Sequence, residues 1–132
     1  MMPAPTGLTP DEQRLLEFCN QARRLRDLPE LKAASGLVLA AREHASEMLE
    51  KGYYARASYD GTTAFRRVRM HYPCSAHAES IARDQPSPVA AFGHWMKLPS
   101  DRENVLDPYF TAAGFGVAGT IRKFWCADFA AK

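Results

Sequence analysis

Apolar residues recur at a helical period through roughly the first hundred positions and fall into a strand pattern only near the C-terminus. That order constrains the fold more than any other feature of the chain. Thr9-Pro10-Asp11-Glu12 opens the first helix: Thr9 caps, Pro10 suits the first helical position and Glu12 completes a capping box. Leu15, Leu16, Cys19 and Ala22 then share one face, and Leu28-Pro29 closes the helix, which is expected to run to about Arg26. A second helix is predicted from Ser35 to Lys51, with Leu37, Ala40, Ala41, His44, Ala45 and Met48 as its stripe and Gly52 as its stop. Residues 53–63 read as loop, and 63–69 as a short helix. Ser87-Pro88 starts another helix, with Val89, Phe92, Trp95 and Met96 as its buried stripe, and Leu98-Pro99 breaks it before one more helical turn over 101–106. His77 to Ala82 is a candidate short strand; 114–120 and 123–129 read as two strands around a tight turn. Helices first and a hairpin last is the pattern of an α+β layer fold, with helices packed on a small antiparallel sheet.

A chain of 132 residues is one domain's worth, divided here into a loose arm over 1–8, with two Pro and a Gly, and a single domain over 9–132. The longest apolar run, Leu37 to Ala41, is far short of the ~20 residues of a membrane span. No basic start followed by an apolar stretch marks a signal peptide. A net charge of +2 is too small to imply a nucleic-acid partner. The clusters Arg23, Arg24, Arg26 and Arg66, Arg67, Arg69 read as solvated charges or structural ion pairs. The cysteines, Cys19, Cys74 and Cys126, form no C-x-x-C pair, which argues against a zinc knuckle. Cys19 lies on the apolar face of the first helix and is expected as a buried free thiol.

Taken in order, several motifs resemble one family. They are Asn20-x-x-Arg23, Ala41-x-x-His44-Ala45-x-x-Met48, Asp60-Gly61 followed by Phe65 and Arg67, and Ala78-Glu79-Ser80-Ile81-Ala82. Trp95-Met96-x-x-Pro99-Ser100-Asp101-Arg102-x-Asn104-Val105-Leu106 follows, then Gly114-Phe115-Gly116-Val117 and Phe124-Trp125 with Phe129. The set is similar to the bacterial branch of the CAP superfamily of cysteine-rich secretory, antigen 5 and pathogenesis-related proteins. The resemblance implies an α-β-α sandwich, an extracellular or periplasmic place, and a central cavity lined by two His and one or two acidic residues, able to hold a divalent metal such as zinc. It also brings the Cys74 and Cys126 regions close, which allows a disulfide between them. Functions in the family range from lipid or sterol binding to protein interaction and claimed proteolysis, so fold fixes function poorly.

The chain departs from the family at the cavity. Arg56 stands where the first His would be and Asp101 where the second would be; Glu79 alone is kept. A guanidinium cannot ligate a metal, so the expectation is an ion-pair cluster in which Arg56 neutralises Glu79 and Asp101, with no metal and no other cofactor. His77, Ser80, Tyr54 and Trp95 are candidate cavity-lining residues. For His77 the plainer reading is a partly exposed strand-edge histidine. Asn20, Arg23, His44, Arg67, Arg102 and Asn104 are expected to act structurally: His44 as a hydrogen-bonded core histidine, Arg102 and Asn104 as ties from the turn after the third long helix to neighbouring carbonyls. Ser75 and Ser80 flank His77, but no G-x-S-x-G elbow exists, and no catalytic residue is assigned. The expected function is a non-catalytic binding or interaction module whose partner is a protein or a small hydrophobic ligand. A lipid or sterol binder and a degenerate hydrolase are the alternatives.

Overall fold

The computed structural model describes residues 7–132. Most of the 1–8 arm lies outside them. Helix α1 is Pro10–Arg24, and its predicted capping box forms: Thr9 accepts from the Glu12 backbone and Glu12 accepts from the Thr9 backbone. Strand β1, Lys32–Ala33, precedes α2, Ser35–Lys51, which ends on Gly52 in the left-handed conformation, where a residue without Cβ sits unstrained. A short α3, Ala64–Arg69, leads to β2, Ala76–Arg83. Helices α4, Pro88–Lys97, and α5, Pro99–Leu106, come next, then β3, Ala112–Ala118, and β4, Phe124–Ala131.

The sheet order is β1-β3-β4-β2. Its three longer strands are antiparallel, and the two-residue β1 joins β3 in parallel at one edge. One face carries Ala82, Phe115, Trp125, Ala127 and Phe129, packed with Leu15, Cys19 and Trp95 from α1 and α4. The other carries Ala112, Cys126 and Ala130 against Leu37, Ala40, Ala41 and Ala45 of α2 and Val68 of α3. This is the expected α-β-α sandwich. Helix α2 seats directly on β3: a Cβ on Gly114 would stand 2.2 Å from the Leu37 carbonyl carbon, and one on Gly116 would stand 2.6 Å from the Ala41 carbonyl carbon.

Two packing expectations need correction. Val89 is exposed, because it lies in the first turn of α4, before the helix meets α1 through the stacked rings of Phe92 and Phe18. All three cysteines are free, so Cys74 and Cys126 are not bonded. Cys126 pairs with Ile81, five positions along β2 from Ala76. At about 3.4 Å per residue that is roughly 17 Å, and Cys74 lies two residues further out. Cys19 is buried and free, as expected.

Candidate functional site

Adjacent residues of a strand point to opposite faces of its sheet, and this splits the expected cavity cluster in two. On β2, Ile81 packs toward α2, whereas Ala78 and Ala82 pack toward α1, α4 and α5. His77 and Glu79 therefore share the α2 face, and Ser80 lies on the other.

On the Ser80 side, Ser80 Oγ donates to Asp101 Oδ1 at 2.7 Å, and Arg56 Nη2 donates to the same oxygen at 3.2 Å. Asn104 Nδ2 donates to Ser80 Oγ at 3.0 Å. Asp101 sits in the first turn of α5 and is buried; the Arg56 side chain is 52% exposed. Arg56 thus reaches from the loop after α2 to one carboxylate of the two expected. Its carbonyl accepts from Arg67 Nη1 at 3.2 Å, the link to the second cluster.

On the α2 face, Arg67, not Arg56, is the partner of Glu79: its Nη2 donates to Glu79 Oε1. Glu79 is paired directly across the ladder with Asp128, and His77 Nε2 lies 2.9 Å from Asp128 Oδ1. Cys126 Sγ donates to Glu79 Oε1 at 3.4 Å. The side chains of His77, Glu79 and Asp128 are 4%, 1% and 0% exposed. Burial and the neighbouring Asp128 push the Glu79 carboxyl up to about 8, although Arg67 and His44 pull the other way. Burial also raises Asp128 to about 6 and lowers His77 to about 4, so the imidazole is neutral at pH 7. The Cys126 thiol is pushed up by burial and by both carboxylates, which makes it a poor nucleophile. His77 is on an edge strand as expected, but its side chain is buried rather than partly exposed, because Asp128 draws it inward.

His44 is the expected core histidine. Its Nε2 donates to the Ala55 carbonyl at 2.7 Å and stands 3.8 Å from Glu79 Oε2. Tyr54 Oη at 3.1 Å and Trp95 Nε1 at 3.0 Å both donate to the Ile81 carbonyl, occupying the open edge of β2. Tyr54 stands at the mouth of the Arg56 loop under the guanidinium of Arg83, 4.7 Å above its ring. Trp95 is fully buried in the core, packed with the residues of α1 and the sheet.

The structural residues divide as well. Asn20 exchanges two hydrogen bonds with the Leu31 backbone. Arg23 is fully buried, and its guanidinium donates to the carbonyls of Pro29, Val105, Asp107 and Phe110, so it is neither a solvated charge nor half of a carboxylate pair. Arg102 does not tie the turn: its side chain is exposed and makes no hydrogen bond among the described residues, because it faces out from α5. It lines a shallow groove of about 570 Å³ with Pro99, Glu103, Leu106 and Pro108. Sequence reasoning missed Asp128. The available signal was a lone carboxylate in the apolar run Phe124–Ala131, two residues from Cys126 and on its face.

With this geometry, the comparisons place the chain. Residues 16–129 match the family model described as CAP, cysteine-rich secretory protein family, and the chain belongs to that family. It is 27% identical over 132 residues to Uncharacterized protein YkwD of Bacillus subtilis (strain 168), covering 98% of this chain and 50% of that protein. The chain therefore spans half the length of that curated relative. Its fold matches an extracellular protein containing a SCP domain from Bacillus anthracis str. Ames at a TM-score of 0.87 and 25% identity, over 100% of this chain and 45% of that one. It also matches an outer surface protein of Borrelia burgdorferi, at a TM-score of 0.84 and 18% identity over 91% of each chain. No helix among the described residues is long and apolar enough to cross a membrane.

The divalent metal that the family cavity can hold does not fit here at the family's position. A cation beside Asp101 would meet the Arg56 guanidinium already bonded to that carboxylate.

Proposed function

We propose that the chain acts outside the cytoplasm as a non-catalytic binding or interaction module, with a protein or a small hydrophobic molecule as its partner. One observation carries this reading: the two positions that hold histidines in the family hold an internal ion pair, Arg56 on Asp101. A hydrolase needs a nucleophile beside a base. Ser80 Oγ is instead spent on a carboxylate and an amide, and Cys126 is buried with a raised pKa. The extracellular and outer-surface proteins that share the fold support the placement.

The groove beside α5 favours lipid binding as a second reading, since Pro99, Leu106 and Pro108 line it with apolar surface beside the charged Arg102, Glu103 and Asp107. Peptidase and esterase assays with chromogenic substrates, run beside native mass spectrometry of the purified protein, test both readings. Expected is no turnover above that of Asp101→Asn. Turnover that Asp101→Asn abolishes would make the chain a hydrolase and overturn the proposal. Lipid that co-purifies, and is lost in Leu106→Asp, would select the lipid reading over a protein partner.

A further inference from the structure

Arginines line the free edge of β2 with no carboxylate to answer them. Arg66, Arg69 and Arg83 are exposed, and among the described residues none of their guanidiniums makes an ion pair or a hydrogen bond. Two of them rest on rings instead: Arg69 lies 5.4 Å from the Phe65 centroid and Arg83 4.7 Å from that of Tyr54. Both rings are fixed to the strand, Phe65 against the ring of His77 and Tyr54 through its hydroxyl on the Ile81 carbonyl. Arg66 adjoins Phe65 in α3. The strip follows β2 from His77 to Arg83, roughly 20 Å at about 3.4 Å per residue. Asp84, the exposed carboxylate next to Arg83, is taken by Arg122 through two hydrogen bonds. A guanidinium held on a ring has already lost much of its rotamer freedom, and its planar fork suits a carboxylate.

The backbone supplies the second observation. Glu79 and Ile81 turn their carbonyls away from β4, where these accept from Asn104, Tyr54 and Trp95. His77 shares their parity on the strand and turns its N–H and C=O the same way, where no described residue meets them. Its side chain is only 4% exposed although the residue as a whole is half-buried, so what it shows to solvent is largely backbone. A strand edge with free backbone groups accepts an added strand.

We propose that the β2 edge is a docking surface for an acidic, extended segment of a partner protein, which pairs with the His77 backbone and sets its carboxylates on Arg66, Arg69 and Arg83. The proposal rests on the reading of the chain as a binding module and names the chemistry of its partner. The surface is separate from the groove beside α5 and uses no group of the Arg56–Asp101 pair.

Fluorescence anisotropy of a rhodamine-labelled eight-residue peptide, with two glutamates at each end and alternating valine and threonine between them, tests it on the full chain. Expected is saturable binding that weakens at least tenfold in Arg69→Glu and in Arg83→Glu, both exposed positions, and is unchanged in Lys97→Glu, the same charge change on α4. The peptide with glutamine for glutamate, and one with N-methylated central residues, are each expected to bind at least tenfold more weakly. No saturation at millimolar peptide would overturn the proposal, as would equal loss in Lys97→Glu or full binding of either altered peptide. Phosphatidylglycerol vesicles that bind the parent but not Arg69→Glu, with no binding of the peptide, would assign the strip to a membrane surface and overturn it as well. Failure here leaves the non-catalytic reading standing, whereas hydrolytic turnover abolished by Asp101→Asn removes that reading and leaves the peptide measurement intact.

Discussion

Arg23 shows how one buried charge can organise a fold without a carboxylate. Burial lowers its pKa, and four carbonyls compensate, two of them, Val105 and Asp107, at the C-terminal end of α5, where the helix dipole is negative. The planar fork is what reaches four acceptors at once. Arg23→Lys is therefore expected to lower Tm by on the order of 10 °C despite keeping the charge, since stranded buried acceptors cost about 1–3 kcal/mol each. Thermal unfolding followed by circular dichroism checks this; an unchanged Tm would mean that the carbonyls find other donors. Asn104 joins α5 to β2 through Ser80 Oγ, so Asn104→Ala is expected to lower Tm by several degrees and to leave any ligand affinity unchanged in the folded protein. The Asn20, Arg23, His44 and Asn104 positions were legible in sequence because a motif at fixed spacing marks them. The partner of Glu79 was not. Arg56 and Arg67 are both arginines within reach in sequence, and only the side of the sheet on which Glu79 projects decides between them.

At the scale of elements, α2 lies on β3 because β3 offers no side chain at Gly114 or Gly116 to hold it off. A methyl at Gly114 would meet backbone, not a flexible side chain. Gly114→Ala must shift the helix, at a cost of about 3 kcal/mol or more. It is expected to drop Tm by on the order of 10 °C, whereas Gly93→Ala, where an added Cβ meets nothing within 4 Å, is expected to be neutral or stabilising. Equal effects in the two variants would contradict the close seating of α2. Helices α1 and α4 were legible because their caps are written in local residues, Thr9 with Glu12 and Ser87 before Pro88, each accepting from a first-turn backbone amide; α2, which has no side-chain cap, was legible from its apolar stripe and the Gly52 stop. Strand β1 was not, because two residues carry no periodicity. It exists because Asn20 fixes Leu31 beside it and Thr111 and Ala113 offer carbonyls.

Across the whole molecule, the buried cluster of His77, Glu79 and Asp128 gives stability a pH dependence with a definite sign. Glu79 holds its proton up to about 8, against an ordinary value of 4.5, so the stability it confers is lost as pH climbs through that range. Asp128, raised from 3.8 to about 6, acts in the same direction at lower pH. His77, lowered from 6.5 to about 4, acts oppositely: stability grows as pH rises through that window. The effects compete below pH 6.5, and above it only Glu79 still titrates. Tm is therefore expected to fall by a few degrees between pH 6.5 and 8, and Glu79→Gln to remove that slope. A slope retained in Glu79→Gln would assign it to another group.

We read the family's cavity position in this chain as closed by the Arg56–Asp101 ion pair, and crystals grown at neutral pH with millimolar zinc test that reading most directly. Anomalous scattering at the zinc edge locates any bound ion, and the density shows where Arg56 points. The account predicts the Arg56 guanidinium on Asp101 and no anomalous peak within coordination distance of the Asp101 carboxylate. A zinc ion coordinated by the Asp101 carboxylate, with Arg56 swung out to solvent, would contradict it.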